Sequence, residues 1–320
     1  MATGRKRAVL PVLLLFLVVF GCNTPKKEYQ LILKEHINLD SIPSASGIAI
    51  RLDSAYIIGD DAADIYKISL KNYGHRKIHL PGSPLEYRIP KPVKQDFESA
   101  VIARNSDINW LLAFGSGTLS PHRDSLLVMN LANHKAKTFS LTRLYAWLFQ
   151  LHHLDKKSLN IEAATVIKDN LYLFNRGTNS MFRMPVNDLF AYINSKENPQ
   201  MPASKHYRIE LPSLNGVPAL ISGAATLDDH RILFTASIEN TTDWTKDGEI
   251  LGSYVGILDV SKKVPKLETC LLITENNKPL IVKLESLDVI SNSGKQVEII
   301  SVSDNDDGSS GLYFLRLETK

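Results

Sequence analysis

The chain has 320 residues, of which 44% are hydrophobic and 22% charged, with a formal net charge of +3. That balance supports a full buried core and excludes the disordered and collagen-like classes. Because Arg5, Lys6 and Arg7 precede an apolar leader, the remainder is close to neutral and carries no nucleic-acid footprint.

The leader predicts the address. An apolar run from Ala8 to Phe20 follows the basic start; it is too short for an ordinary membrane span and right for the core of a secretory signal. Its end, Val19-Phe20-Gly21-Cys22, resembles a bacterial lipobox, which predicts a signal peptide over 1–21, lipidation (palmitate) on Cys22 and a short polar tether over 22–27. A plain signal peptide or an uncleaved anchor is the alternative. The expected location is the bacterial cell envelope, with the membrane reached through the N-terminal lipid. Cys270 is the other cysteine, so no internal disulfide is available to a lipidated chain, and its apolar run reads as a buried, inert thiol.

From residue 28 onward, short apolar strands recur. Unit one reads Ser46–Ala49, Tyr56–Ile58, Ile65–Leu70 and Arg76–Leu80; unit two reads Phe97–Ala100, Trp110–Leu112, Ser125–Leu131 and Lys137–Ser140. Next, Leu141, Leu144, Leu148 and Leu151 fall at helical spacing and predict a helix over 141–157. Unit three reads Ile161–Ala164, Leu171–Phe174 and Ser180–Met184, then a short helix over 187–194, then Tyr207–Leu211. Unit four reads Ser222–Ala225, Ile232–Phe234, Ser253–Val260 and Leu267–Ile273, and unit five has only Leu284–Leu287, Val297–Ile300 and Gly311–Leu317. Tyr29–Leu33 can supply the missing outer strand. The expectation is an all-β, five-bladed β-propeller over 28–320, closed by the N-terminal strand, with six blades as the alternative.

The five unit openings place Gly47, Glu98, Glu162, Gly223 and Glu285 at corresponding positions. In an antiparallel meander these positions and the loops after the second strands share one face of the ring. Glu98, Glu162 and Glu285 are therefore expected to converge at a channel mouth, with Arg176 as counter-ion and Glu239 beside them, as candidate ligand-binding residues. The same three glutamates could hold Ca²⁺ in an all-oxygen cage, or could accept backbone N–H bonds and staple the ring. The 238–252 segment, with Glu239, Asp243, Trp244, Lys246, Asp247 and Glu249, reads as a long polar loop that either covers a ligand or is a surface excursion. Asp304 to Gly308 is off register for an EF-hand and reads as a polar turn, while His152 and His153 face different ways on a helix. HExxH, CxxC, Walker-type phosphate loops and G-x-S-x-G are absent, and no catalytic residue is assigned.

Asn160-Ile161-Glu162-Ala163-Ala164 with Phe174-Asn175-Arg176-Gly177, then Leu233-Phe234-Thr235-Ala236 with Asp247-Gly248 and Gly252-Ser253, resemble an uncharacterised family of bacterial secreted proteins, a domain of unknown function. The resemblance runs from about Tyr29 to the end of the chain. It implies a β-propeller and no established reaction. A weaker similarity, confined to Glu at the head of inner strands, connects the chain with phytase-like, gluconolactonase-like and other calcium-dependent propellers, whose fuller acidic signature is missing where Gly47 and Gly223 stand. Three functions follow as expectations: a non-catalytic binder of a small ligand, ion or partner at the acidic face; a metal-assisted hydrolase of a phosphate ester, lactone or glycoside; and a docking protein for another envelope component.

Overall fold

The computed structural model describes residues 27–80, 82–83, 88–195, 197, 199–241, 248–305 and 307–320. The signal, Cys22 and residues 23–26 of the tether lie outside the described residues. So do Asp243, Trp244, Lys246 and Asp247 of the long segment, and with them the cover over the ligand.

Five blades form a closed ring. After β1 (Tyr29–Leu39), blade one is β2 (Ala45–Arg51), β3 (Ser54–Gly59), β4 (Asp64–Ser69) and β5 (His75–His79). Blade two is β6 (Phe97–Asn105), β7 (Ile108–Gly115), β8 (Ser125–Asn130) and β9 (Ala136–Ser140). Helix α1 (Thr142–Leu151) precedes blade three, which is β10 (Ile161–Ile167), β11 (Asn170–Asn175), β12 (Ser180–Pro185) and, after helix α2 (Val186–Asn194), β13 (Lys205–Arg208). Blade four begins with the short β14 (Ser213–Leu214) and continues as β15 (Val217–Thr226), β16 (Arg231–Asn240), β17 (Glu249–Asp259) and β18 (Lys266–Leu272). A small hairpin, β19 (Thr274–Glu275) and β20 (Lys278–Pro279), leads into blade five: β21 (Leu284–Asn292), β22 (Gln296–Asp304) and β23 (Ser310–Thr319). The sheet order β1-β23-β22-β21 shows the N-terminal strand closing the ring as the outer strand of blade five.

The burial pattern explains why the strands read as they do. Each second strand is sandwiched between neighbouring blades, so Leu111–Phe114, Leu171–Phe174 and Ile232–Phe234 are continuously apolar and buried. Five buried clusters result, one at each seam between adjacent blades. The seam between blades two and three is the most heavily filled, because α1 contributes Leu144, Leu148 and Phe149 and α2 contributes Leu189 and Phe190.

Inner strands crowd the axis, and their residues are small there. A Cβ on Gly223 would stand 2.6 Å from Ser286 Cα, and one on Gly47 would stand 2.9 Å from Ala100 N. Gly223→Val is therefore expected to push blades four and five apart at a cost of about 1–3 kcal/mol, read as a lower urea midpoint at unchanged slope. At the end of the axis away from these glycines' strand heads lies a recess of about 370 Å³ lined by Thr165, Thr226 and Asp288 among others. There Asp288 Oδ2 accepts from Ile50 N at 2.6 Å across the seam between blades five and one, and burial pushes its carboxyl up to about 6.

Two local expectations change. The helix predicted over 141–157 ends at Leu151, after which a turn and one 3-10 turn over Lys156–Ser158 return the chain to blade three. The polar excursion over 238–252 is shorter, because β16 and β17 extend as paired strands through Asn240 and from Glu249. Glu239 is thus a strand residue.

Candidate functional site

Every inner strand carries an irregularity at its head. The register shifts fall between Ala45 and Gly47, Phe97 and Ser99, Ile161 and Ala163, Ile221 and Gly223, and Leu284 and Ser286. The unpaired residues are therefore Ser46, Glu98, Glu162, Ser222 and Glu285, and a bulge of this kind re-aims a side chain out of the ladder. This corrects the expected correspondence by one residue in blades one and four, where serine and not glycine matches the glutamates. Both serines staple the ring: Ser46 Oγ donates to Phe97 O and Ser222 Oγ donates to Leu284 O, each at 2.5 Å.

Around these bulges opens a cavity of about 950 Å³, to which all five blades contribute and which Glu98, Glu162, Glu285, Arg176 and Glu239 all line. Apart from the Asp61–Arg88 pair, Lys91 and Asp304, its charged groups fall into two clusters. On the side of blades one and two, the Lys94 ammonium lies between Asp60 and Asp96, 2.6 Å from Asp96 Oδ1, and Arg123 Nη1 meets Asp96 Oδ2 at 2.8 Å. Ser116 Oγ also donates to Asp96 Oδ2, at 2.5 Å. Glu98 completes this cluster and makes no hydrogen bond or ion pair among the described residues.

Across the cavity, Arg176 is 7% exposed and bridges two blades, with Nη1 3.4 Å from Glu162 Oε2 and Nη2 2.9 Å from Glu239 Oε2. Asn160 Nδ2 donates to Glu162 Oε1 at 2.7 Å, and Gly248 N donates to Glu239 Oε1 at 2.7 Å. Lys283 Nζ lies 3.1 Å from Glu285 Oε1.

Each cluster holds three carboxylates against two cations: Asp60, Asp96 and Glu98 with Lys94 and Arg123; Glu162, Glu239 and Glu285 with Arg176 and Lys283. Each is one positive charge short, and a carboxyl in each is pushed up. Burial, reinforced by Asp96, Glu162 and Asp60 and opposed by Lys94, holds the Glu98 carboxyl well above the usual carboxylate range. Burial likewise raises Glu285 to about 7, with Lys283 opposing and Glu162 adding to the shift. On the cations burial acts in the opposite sense and disfavours the Lys94 and Arg176 charges, but the surrounding carboxylates outweigh it and hold both above their ordinary values.

The predicted glutamates thus share one cavity without forming one ligand set. Glu162 and Glu285 are engaged by Arg176 and Lys283, whereas Glu98 belongs with Asp60 and Asp96, a trio whose ligand oxygens lie within 4.8 Å of one another among the described residues. Sequence reasoning missed Asp60 and Asp96 as partners of Glu98, and it missed Lys94, Arg123 and Lys283 altogether. A rim of acids was expected, and the structure has two mixed-charge clusters. The signal was there as Lys94-Gln95-Asp96-Phe97-Glu98 and Lys283-Leu284-Glu285, cations just upstream of the acids they meet.

The remaining candidates are closed off. Asp307 Oδ1 accepts from the backbone and hydroxyl of Ser309 in a local turn, while Asp304 lines the cavity. His152 stacks on His206 with ring centroids 5.4 Å apart, away from this cavity. Burial pushes the half-buried Cys270 thiol up to about 12, which leaves it protonated and unreactive at neutral pH.

Residues 41–317 match a family of unknown function (DUF6929). Among solved structures, the glutaminyl cyclase of Myxococcus xanthus is similar with a TM-score of 0.50 and 9% identity, over 91% of this chain and 97% of that one. The Malassezia sympodialis allergen Mala s 1 is similar with a TM-score of 0.47 and 9% identity, over 87% of this chain and 80% of that one. At such identities the first likeness is one of fold alone. A search of curated protein sequences finds no match.

Proposed function

We propose a binding role for this chain, which belongs to the family of unknown function DUF6929: the cavity at the strand heads receives a small ligand through a cationic group, and Glu98 is the carboxylate that meets it. The observation that carries this reading is the charge shortage beside Glu98, which only the charge of Lys94 offsets, in a cavity of about 950 Å³, a volume suited to a small organic molecule. Arg176 and Glu239 hold the opposite wall and set its polarity. The protein is held at the bacterial envelope by a lipid on Cys22.

A second reading places a divalent ion such as Ca²⁺ at Asp60, Asp96 and Glu98, where it would polarise the bond of a substrate to be hydrolysed. The oxygens are close enough, and Asp60 Oδ1 is buried without a partner. Against it stands Lys94, whose ammonium already occupies the space between Asp60 and Asp96. The donor set fits one further monovalent cation better than a divalent one.

Calorimetric titration of the full-length protein in detergent with CaCl₂ and a panel of primary and quaternary amines tests both. An amine is expected to bind, and Glu98→Gln to weaken it at least about tenfold, the value of 1.4 kcal/mol in a charge-assisted contact. Because Glu98 must release its proton to receive a cation, affinity is expected to rise with pH, by roughly tenfold per unit at most, while the pH stays below the raised Glu98 value. Calcium binding lost in the same variant would favour the second reading. No binding by any member of the panel, or equal binding by the variant, would sink both.

A further inference from the structure

The chain enters the propeller on the face opposite the cavity. β1 runs antiparallel to β23 with Tyr29 opposite Thr319 and Leu39 opposite Ser310, and Ser310 pairs with Asp304, which lines the cavity. Tyr29 and Thr319 therefore lie at the far end of blade five, where Lys320 N donates to Glu28 O. The β2–β3, β6–β7, β17–β18 and β21–β22 turns share that far face, because each follows a strand that runs away from the cavity.

Two of those turns, β2–β3 and β17–β18, carry an apolar side chain where solvent-facing turns are ordinarily polar. Leu52 is 78% exposed and Val264 is 64% exposed, and Ile108 and Ile290 stand out on the same side. Val264 sits in Lys262-Lys263-Val264-Pro265-Lys266, whose three lysines are exposed and form no ion pair among the described residues. Several acids on this face are engaged by cations of their own: Asp53 by Lys71, Asp107 by Arg104 and Asp228 by Arg231, while Asp259, at the base of the lysine-bearing turn, accepts from Ser261 N. In this turn Lys262, Lys263 and Lys266 outnumber Asp259 and surround an apolar tip, which is the chemistry that an anionic lipid surface retains.

We propose that this face rests on the anionic membrane surface to which the N-terminal segment attaches, so that the cavity opens directly away from the bilayer. The proposal rests on the reading that the chain is anchored through Cys22. From Cys22 to Lys27 the chain reaches at most about 17 Å when fully extended, so an anchored propeller presents this face to the headgroups and has little freedom to turn over. Among the described residues no helix is long and apolar enough to cross a membrane, and docking here needs none.

The test uses the full-length protein in vesicles of phosphatidylcholine and phosphatidylglycerol, with and without doxyl-labelled lipid, and three variants: Leu52→Trp, Val264→Trp and, on the cavity rim, Leu119→Trp. After subtraction of the parent emission, the doxyl lipid is expected to quench the first two reporters at least twofold and to leave the third unchanged. Replacing Lys262, Lys263 and Lys266 together by Glu is expected to halve the Val264→Trp quenching while the protein still floats with the vesicles. Equal quenching on both faces, or flotation with no quenching at all, overturns the orientation and leaves the anchor standing. Failure to float overturns the anchor, and the orientation with it.

Discussion

A chain that begins at Asp40, without β1, is expected to lose cooperative unfolding and to aggregate. β1 pairs with β23 from Tyr29 to Leu39 and is the only partner of that edge among the described residues. Its removal uncovers ten ladder positions of β23, a ready template for another chain. It also removes Leu31, Leu33, Ile37 and Leu39 from the seams that blade five makes with blades four and one. At roughly 1–2 kcal/mol for each of these side chains, most of them partly exposed, the loss rivals the whole stability of an ordinary domain, about 5–15 kcal/mol. Circular dichroism melts and size-exclusion profiles of the two chains give the comparison, and a synthetic peptide spanning Lys27 to Asp40 should restore part of the transition. A truncated protein that melts within a few degrees of the parent would mean that closure contributes little.

Arg176→Leu is the second large effect. The guanidinium joins Glu162 of blade three to Glu239 of blade four and is almost wholly buried, so its loss leaves Glu162 out of water without a cation and Glu239 with Lys283 alone, at 3.9 Å. Breaking a buried pair by removing one partner costs about 3–5 kcal/mol. The sign of the pH dependence follows from which forms the cavity tolerates. With the arginine gone, the native carboxyls bind protons more tightly than the unfolded ones do, so the variant gains relative to the parent as pH falls and loses as pH rises. Urea unfolding at pH 5 and pH 8 should therefore show the larger deficit at pH 8. An equal deficit at both values would place the effect in packing alone, and Arg176→Lys, which keeps the charge but not the two-armed reach, should recover part of it.

Much of the architecture was legible because the propeller repeats a simple physical requirement. A strand pressed between two blades must be apolar on both faces, and Leu171-Tyr172-Leu173-Phe174 and its counterparts announce that without ambiguity. The closing strand was legible for the complementary reason, that blade five lacks an outer partner. The correspondence of the strand heads was less so. A bulge inserts one residue and leaves the hydrophobic alternation on either side intact, so Gly47 and Gly223 were matched to the glutamates when Ser46 and Ser222 hold that position. The same glycines proved to be places of close strand approach.

The cavity itself was half legible. Acids at strand heads announce themselves by recurrence, whereas Lys94, Arg123 and Lys283 come from connections of unequal length, and only the closed ring brings them inward. Glu239 reads from the sequence as a loop residue, whereas backbone pairing carries β16 through Asn240 and begins β17 at Glu249.

The tight approach of the inner strands has one more consequence. With Gly47 against Ala100 and Gly223 against Ser286, the large cavity and the small recess near Asp288 remain separate spaces at opposite ends of the axis. A molecule at one end would therefore meet a densely charged wall, and a molecule at the other a mostly apolar one, so each end selects its visitors by a different chemistry.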